Sequence, residues 1–122
     1  EDGTVLIELE NIYFDLDKWN IRPDAEVELQ KVITVLKEHP TITLDIQSHT
    51  DSRQTHQYNK RLSDRRANST LEYIVKHGID RNRLTAKGYG ETQLVNKCAD
   101  NVDCTEEEHQ LNRRSEFIVT EL

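Results

Sequence analysis

Two side chains of opposite charge, Asp51 and Arg66, have the types and spacing best suited to holding a charged ligand. Asp51 follows an alternating apolar segment, at the point where a strand should end, and loops at a sheet edge often carry functional groups. On the helix expected next, Asn59, Ser63 and Arg66 are separated by four and then three residues. At about 100° per residue, Asn59 and Arg66 point within roughly 20° of one direction. The pattern predicts a carboxylate facing an amide and a guanidinium.

This arrangement has two interpretations. Asp51 and Arg66 could form an internal salt bridge that fastens the loop to the helix, or they could line a pocket for a ligand carrying carboxylates. The chain has a net charge of −7, yet the stretch from Arg53 to Arg66 has five cations and one acid, which leaves −11 for the rest. That basic stretch fits a solvated helix face as well as a pocket. The overall negative charge argues against a nucleic-acid partner.

Catalysis is the rival class. His49, Asp51 and His56 offer the ligand types of a metal-dependent hydrolase. However, His56 lies beyond a loop and no fourth ligand stands at helical spacing, whereas metal sites need a complete set of ligands. No glutamate is placed as an obvious base, and neither Ser48 nor Ser63 lies in a G-x-S-x-G motif. We therefore expect no catalytic residue, no metal site and no cofactor, and hence no enzyme.

The apolar spacing predicts alternating strands and helices that would position these groups. Strands are expected where apolar residues alternate, and helices where they recur every three or four residues. The predicted elements are a strand through Val5, Ile7, Leu9, Ile12 and Phe14, a helix that starts at Pro23 and is stopped by Pro40, a strand at 42–47, a helix from His56 to His77, a strand from Leu84 to Tyr89, a short helix from Glu106 to Leu111 and a strand at Phe117 and Val119. This order predicts the α/β (α+β) class, with helices packed on one sheet.

Three further features leave alternatives open. Cys98 and Cys104 are six positions apart, and with His109 they supply too few ligands for a zinc site. We expect them to form a disulfide, which is typical of an oxidising compartment, with two free thiols as the alternative. Trp19 is the only aromatic residue of a polar loop and is expected to fold onto the core. An exposed Trp19, or the acidic run Glu106–Glu108, could instead dock another protein.

The length and ends of the chain suggest one domain, residues 1–122, taken from a longer protein. A chain of this size supports one core. No apolar run approaches the roughly 20 residues of a membrane span. Because the sequence starts at Glu1 without a Met or a signal segment, we expect it to be a piece of a longer precursor.

Five motifs, in order over about residues 5–120, resemble the OmpA C-terminal-like domain. They are Tyr13–Lys18 (YFDLDK), Ser48–Arg53 (SHTDSR), Tyr58–Ala67 (YNKRLSDRRA), Lys87–Glu91 (KGYGE) and Asn112–Phe117 (NRRSEF). The resemblance implies a two-layer sandwich, with the helices on one mixed four-stranded sheet. The family includes Pal lipoproteins and the stator protein MotB, and its members bind peptidoglycan without catalysis.

The resemblance also implies a place in the cell. It predicts a periplasmic domain, the C-terminal part of a longer envelope protein, tethered to the outer membrane of a Gram-negative bacterium. Its partner would be the meso-diaminopimelate of the peptidoglycan stem peptide. Some members of the family also dock other envelope proteins.

The family's ligand residues carry over to matching positions of this chain. The two hallmark residues match Asp51 and Arg66, and a hydrogen-bonding position matches Asn59. The remaining matches are wall or main-chain contacts at Phe14, Asp15 and Leu62 and an auxiliary contact at Arg113. The free end of diaminopimelate carries an ammonium and a carboxylate on one carbon, which an acid and a forked guanidinium complement.

The chain departs from the family pattern at two places. Gln54 stands where a glycine is common, so the turn there must avoid a positive φ. The segment containing Cys98 and Cys104 is not general to the family, and is expected to decorate the loop before the last strand.

Overall fold

A computed structural model describes residues 9–99 and 102–121 and contains a four-stranded sheet with three α-helices. In chain order the elements are β1 (Ile12–Tyr13), α1 (Pro23–Glu38), β2 (Thr43–Ser48), α2 (His56–Lys76), a 3-10 turn (Arg81–Arg83), β3 (Leu84–Gly88), α3 (Glu106–Gln110) and β4 (Arg114–Glu121). The predicted α+β class is confirmed. The strand residues expected at Val5 and Ile7 lie outside the described residues. None of the helices in the described ranges has an apolar stretch of membrane-spanning length.

The sheet brings three chain segments together at one edge. Its strand order is β1-β4-β2-β3; β2 and β3 are parallel and joined through α2, whereas β4 runs antiparallel to β1 and β2. Ser48, the last residue of β2, pairs with Gly88 at the end of β3 and with Ser115 near the start of β4. The segment from His49 to Asp51 therefore leaves the sheet between these two strands, at the edge predicted to carry the site.

Both long helices bury the faces that their spacing predicts. All five predicted core residues of α1 are buried: Ala25, Leu29, Val32, Ile33 and Leu36. The apolar stripe of α2, Ala67, Leu71 and Ile74, is buried as well, and its N-terminus is capped by the side chain of Thr55. These faces pack on Ile42, Leu44 and Ile46 to form one core. This shared core fixes helix α2, which carries Arg66, relative to strand β2, which leads to Asp51.

The C-terminal third contains the predicted disulfide and the predicted cap. Cys98 and Cys104 are joined by a disulfide. The short helix α3 starts with the capping box formed by Thr105 and Glu108, as predicted. The last strand begins at Arg114, earlier than its apolar residues suggested, because the start of β4 is polar yet buried.

Helix α2 lies unusually close to the end of β3. A Cβ on Gly88 would overlap the side-chain oxygen of Ser63 and the backbone nitrogen of Asp64. The same approach allows the Gly88 amide to donate to Asp64 at 3.0 Å and the Gly90 amide to donate to Ser63 at 2.8 Å. Contact with the end of β3 thus fixes α2 at Ser63 and Asp64, between Asn59 and Arg66.

We expect Gly88→Ala to destabilise the domain by about 3 kcal/mol, because overpacking against helix backbone cannot be relieved by rotating a side chain. Urea unfolding followed by circular dichroism measures this change. Ala86→Ser, on an exposed position of the same strand, is the control and should change stability by less than about 0.5 kcal/mol. Equal stability of both variants would contradict the close approach.

His49 is a buried, uncharged residue beneath the edge of the sheet. Its ring is fully buried and stacked on Tyr89, with 5.5 Å between ring centroids. Neither ring nitrogen hydrogen-bonds a described residue. Burial, and then the charge of Arg114, lower the pKa of His49 from 6.5 to about 4, against an opposing effect of Glu116. The folded state therefore keeps His49 neutral.

This pKa makes stability fall with acid. Between pH 6.5 and 4 the unfolded chain binds a proton at His49 that the folded chain excludes, so the free energy of unfolding decreases as pH falls. We expect His49 to account for a loss of about 2 kcal/mol between pH 7 and 5. His49→Phe, which keeps a ring against Tyr89, should lose that slope in urea titrations at each pH. An unchanged slope would contradict the assignment.

Candidate functional site

Asp51 and Arg66 lie beside each other but are not bonded to each other. Asp51 is 4% exposed, and its carboxylate accepts hydrogen bonds from the side chains of Arg53, at 2.8 Å, and Arg113, at 3.1 Å. The Arg53 amide adds a third bond, at 3.1 Å. Burial alone would raise the pKa of Asp51, but these bonds outweigh it and hold the pKa below its usual value. Asp51 is therefore an ionised acid, and the interpretation as an Asp51–Arg66 salt bridge is wrong.

Arg66 is a buried cation held by main-chain oxygens alone. Its guanidinium donates to the carbonyls of Lys18 at 2.8 Å, His49 at 3.0 Å and Asp15 at 3.0 Å. No carboxylate of the described residues lies within 4.0 Å of it. Burial, and then the neighbouring charge of Arg113, lower the pKa of Arg66 to about 10. It is therefore still a cation near neutral pH, with two N–H groups left over from its five.

A small cleft opens between these two residues. It measures about 180 Å³, counting the space open to solvent. Its lining residues are Leu16, Asp17, Thr50, Asp51, Gln54, Asn59, Leu62, Arg66 and Arg113. Five of the seven residues predicted for the site thus meet in one cleft, namely Asp51, Asn59, Leu62, Arg66 and Arg113. Leu16, Asp17, Thr50 and Gln54 were not among the predicted site residues; of these, Leu16 adjoins Asp15 and Thr50 adjoins Asp51 in sequence.

The other two predicted residues, Phe14 and Asp15, lie beneath or beside the cleft rather than in its lining. Phe14 is fully buried, and the guanidinium carbon of Arg66 lies 5.1 Å from the centre of its ring. The Phe14 carbonyl accepts a hydrogen bond from Arg113. Asp15 has an exposed side chain that lies 3.5 Å from Arg22, whereas its carbonyl holds Arg66. In the structure these two residues position the arginines.

Asn59 ties the helix to the turn after Asp51. It is 1% exposed and its side-chain amide donates to Glu91 at 2.8 Å and to the carbonyl of Gln54 at 3.3 Å. Gln54 does not need a positive φ, as predicted, because Asp17 is the only non-glycine residue with one among the described residues. The turn therefore reaches the cleft without the glycine that is common in the family.

Glu106 completes the charge network and was not predicted to belong to the site. It lies 2.7 Å from Arg113 and 3.0 Å from Arg53, the two cations that also hold Asp51. The hydrogen bond from Arg113 lowers the pKa of Glu106. Glu108 closes the capping box of α3. Two acids of the run Glu106–Glu108, considered above as a docking face, thus have internal partners.

The residues considered for a metal do not converge. His49 has both ring nitrogens buried, whereas His56 has a side chain 78% exposed and 3.2 Å from Glu91. Within residues 9–99 and 102–121, the one group of three metal-ligand side chains within reach of each other is Cys98, Cys104 and Glu108. Its two sulfurs are joined in the disulfide, so that group offers no thiolate.

Trp19 does not fold onto the core, and that expectation is wrong. Its side chain is 42% exposed, and the guanidinium of Arg65 lies over its ring at 4.7 Å. The backbone on the N-terminal side of Trp19 is fixed by the hydrogen bonds of Arg66 to the carbonyls of Asp15 and Lys18, and not by burial of the indole. A loop held in this way can leave its largest apolar side chain outside.

Comparison with known proteins identifies relatives over most of the chain. A family model described as the OmpA family matches residues 13–108. The outer membrane porin F of Pseudomonas aeruginosa is 35% identical over 107 residues, 87% of this chain and 29% of that protein. A peptidoglycan-associated lipoprotein of Rhizobium meliloti is 36% identical over 95 residues, 78% of this chain and 53% of that protein. The photosystem I P700 chlorophyll a apoprotein A2 of Gloeobacter violaceus is 40% identical over 119 residues, 96% of this chain but 14% of that protein.

The chain spans at most about half the length of these relatives, so the function of a whole relative does not transfer to it. The peptidoglycan-associated lipoprotein of Burkholderia pseudomallei has the same fold. Its crystal structure superposes with a TM-score of 0.81 at 26% identity, covering 90% of this chain and 89% of that chain. Because the family model covers most of the chain and a member structure shares its sheet and helices, the chain belongs to the OmpA family.

Proposed function

We propose that this domain binds peptidoglycan without covalent bonds, by holding the free end of meso-diaminopimelate between Asp51 and Arg66. One observation carries the proposal: Arg66 is a fully buried guanidinium with no carboxylate of the described residues in contact, at a cleft that also contains an ionised acid. Buried charges are normally paired. A ligand that brings both a carboxylate and an ammonium would complete the pairing.

The two charges of the ligand would enter opposite sides of the cleft. Its ammonium would take the Asp51 carboxylate, and its carboxylate would take the unused N–H groups of Arg66, with Arg113 beside it. The ammonium would replace Arg53, the partner of Asp51 with the more exposed side chain, 33% against 4% for Arg113. Arg53 would keep a carboxylate partner in Glu106, so its displacement costs less than stranding a charge.

The cleft is preorganised for this role. Arg66 is held by three carbonyls and Asn59 by Glu91 and Gln54, so few side chains must be ordered when the ligand binds. Each flexible side chain that a ligand must immobilise costs about 0.5–1.5 kcal/mol. A small cleft can thus bind one amino-acid head with useful affinity, and no catalytic step is needed.

Binding of this kind would anchor an envelope protein to the cell wall. Relatives named as an outer membrane porin and as a peptidoglycan-associated lipoprotein support a periplasmic location, tethered to the outer membrane of a Gram-negative bacterium. The Cys98–Cys104 disulfide fits an oxidising compartment. Other envelope proteins would then be neighbours of the domain, and the part of the protein that inserts in the membrane would lie outside these residues.

We expect Asp51→Asn to weaken binding to purified diaminopimelate-type sacculi by at least about 30-fold, because it leaves the ligand ammonium without a charged partner. Co-sedimentation with sacculi measures the change. Arg66→Lys should weaken binding similarly, since one ammonium cannot replace the guanidinium fork.

Arg61→Lys, an exposed change of the same type on α2, is the matched control and should bind as the parent does. Urea unfolding of each variant separates lost binding from lost structure, which matters for Arg66 because three carbonyls depend on it. Full binding by folded Asp51→Asn would refute the assigned role.

We also expect a free stem tripeptide ending in meso-diaminopimelate to bind at least about 30-fold more tightly than the same peptide with L-lysine. Lysine lacks the terminal carboxylate, which leaves Arg66 unpaired at a cost of about 2–5 kcal/mol. Isothermal titration calorimetry gives both constants. Equal affinities would show that Arg66 does not read that carboxylate.

A further inference from the structure

The loop of residues 15–20, here the Trp19 loop, is held in place at several points. The buried Arg66 binds the carbonyls of Asp15 and Lys18. The Tyr58 hydroxyl donates to the Asp17 carboxylate at 3.0 Å. Asp17 has a φ of 58°, a left-handed conformation that costs free energy for a residue with a side chain. Such conformations persist where the surroundings impose them, and they are frequent at functional sites.

This fixed loop displays a large aromatic surface. Trp19 is 42% exposed even though Arg65 covers one face of its ring, so the exposed area lies on the rest of the indole. An exposed tryptophan that shields no core contributes little to folding. Its fixed backbone and its stacked arginine instead give the ring a defined orientation, which is what a binding surface needs.

The ring borders a hollow next to the cleft described above. The hollow is lined by Asp17, Lys18, Trp19 and Asn20 and measures about 540 Å³, counting the space open to solvent. Asp17 also lines the cleft between Asp51 and Arg66, so the two depressions adjoin. Around the indole, the hollow offers a carboxylate, an ammonium and an amide, which donate and accept hydrogen bonds.

We propose that this hollow is a subsite for an N-acetylated sugar of the glycan strand, with one pyranose face against Trp19. This inference rests on the proposed binding of peptidoglycan. A pyranose ring has an apolar C–H face and a rim of hydroxyl and acetamido groups, which matches an indole surrounded by Asp17, Lys18 and Asn20. The stem peptide joins the sugar to the diaminopimelate through a few residues, each of which spans about 3.3–3.6 Å or more when extended. Both ends of one repeating unit can therefore occupy adjoining depressions.

The test uses the single tryptophan of the chain as its probe. A peptide-free tetramer of β-1,4-linked N-acetylglucosamine is titrated into the protein while Trp19 fluorescence is recorded. We expect a saturable change in intensity and a blue shift, and amide shifts at residues 17–20 by NMR. Asp51→Asn should keep this response, because the tetramer has no charged amino-acid head.

A second measurement separates the two sites. By calorimetry, Trp19→Ala should bind a disaccharide tripeptide about 2- to 12-fold more weakly than the parent, the range for one aromatic contact. Trp19→Phe should recover part of that loss. The sugar-free diaminopimelate tripeptide should bind both variants as it binds the parent. If the parent itself does not bind this peptide, the proposed function is contradicted, whatever the result for the sugar subsite.

Two results would overturn the subsite. One is the absence of a fluorescence or amide response to the tetramer at millimolar concentration, as expected if Trp19 docks a protein. The other is an unchanged affinity of folded Trp19→Ala for the disaccharide tripeptide.

Discussion

The arrangement of the cleft depends on the buried guanidinium of Arg66, which has to stay charged in the interior of the domain. An isolated cation costs far too much to bury, so the surroundings must supply hydrogen-bond acceptors. Three carbonyls do so, and they come from two separate segments, the Trp19 loop and the end of β2. Carbonyl dipoles satisfy the N–H groups but carry no net charge. The positive charge is thus solvated by the fold and left available to an anion.

The sheet explains why an acid can stand beside that cation. Parallel pairing of β2 with β3 and antiparallel pairing with β4 bring three chain segments to one edge. Arg113 and Asp51 are 62 residues apart in sequence yet 3.1 Å apart in space. Charges of both signs therefore collect where β2 ends, in a network that also includes Arg53 and Glu106.

Features that depend on local spacing could be predicted from the sequence, and features that depend on main-chain acceptors could not. The five buried residues of α1, the capping box of α3 and the position of Asp51 after β2 all follow from patterns within a few residues. Nothing in the residue types near Asp15 or Lys18 signals that their carbonyls hold an arginine from α2. For that reason the spacing alone left open whether Asp51 and Arg66 bond to each other, and the exposure of Trp19 could not be foreseen.

The short separation of Asp51 and Arg66 along the chain has an evolutionary consequence. Both belong to one strand-helix unit, whereas the disulfide-bonded Cys98–Cys104 segment lies in the connection between β3 and β4. Changes within the disulfide-bonded segment leave β2 and α2, which carry the pair, unaltered, whereas Glu91, Glu106 and Arg113 of the same connection contact the site. This segment can thus change in sequence during evolution, and contact new partners, while the cleft between Asp51 and Arg66 is kept.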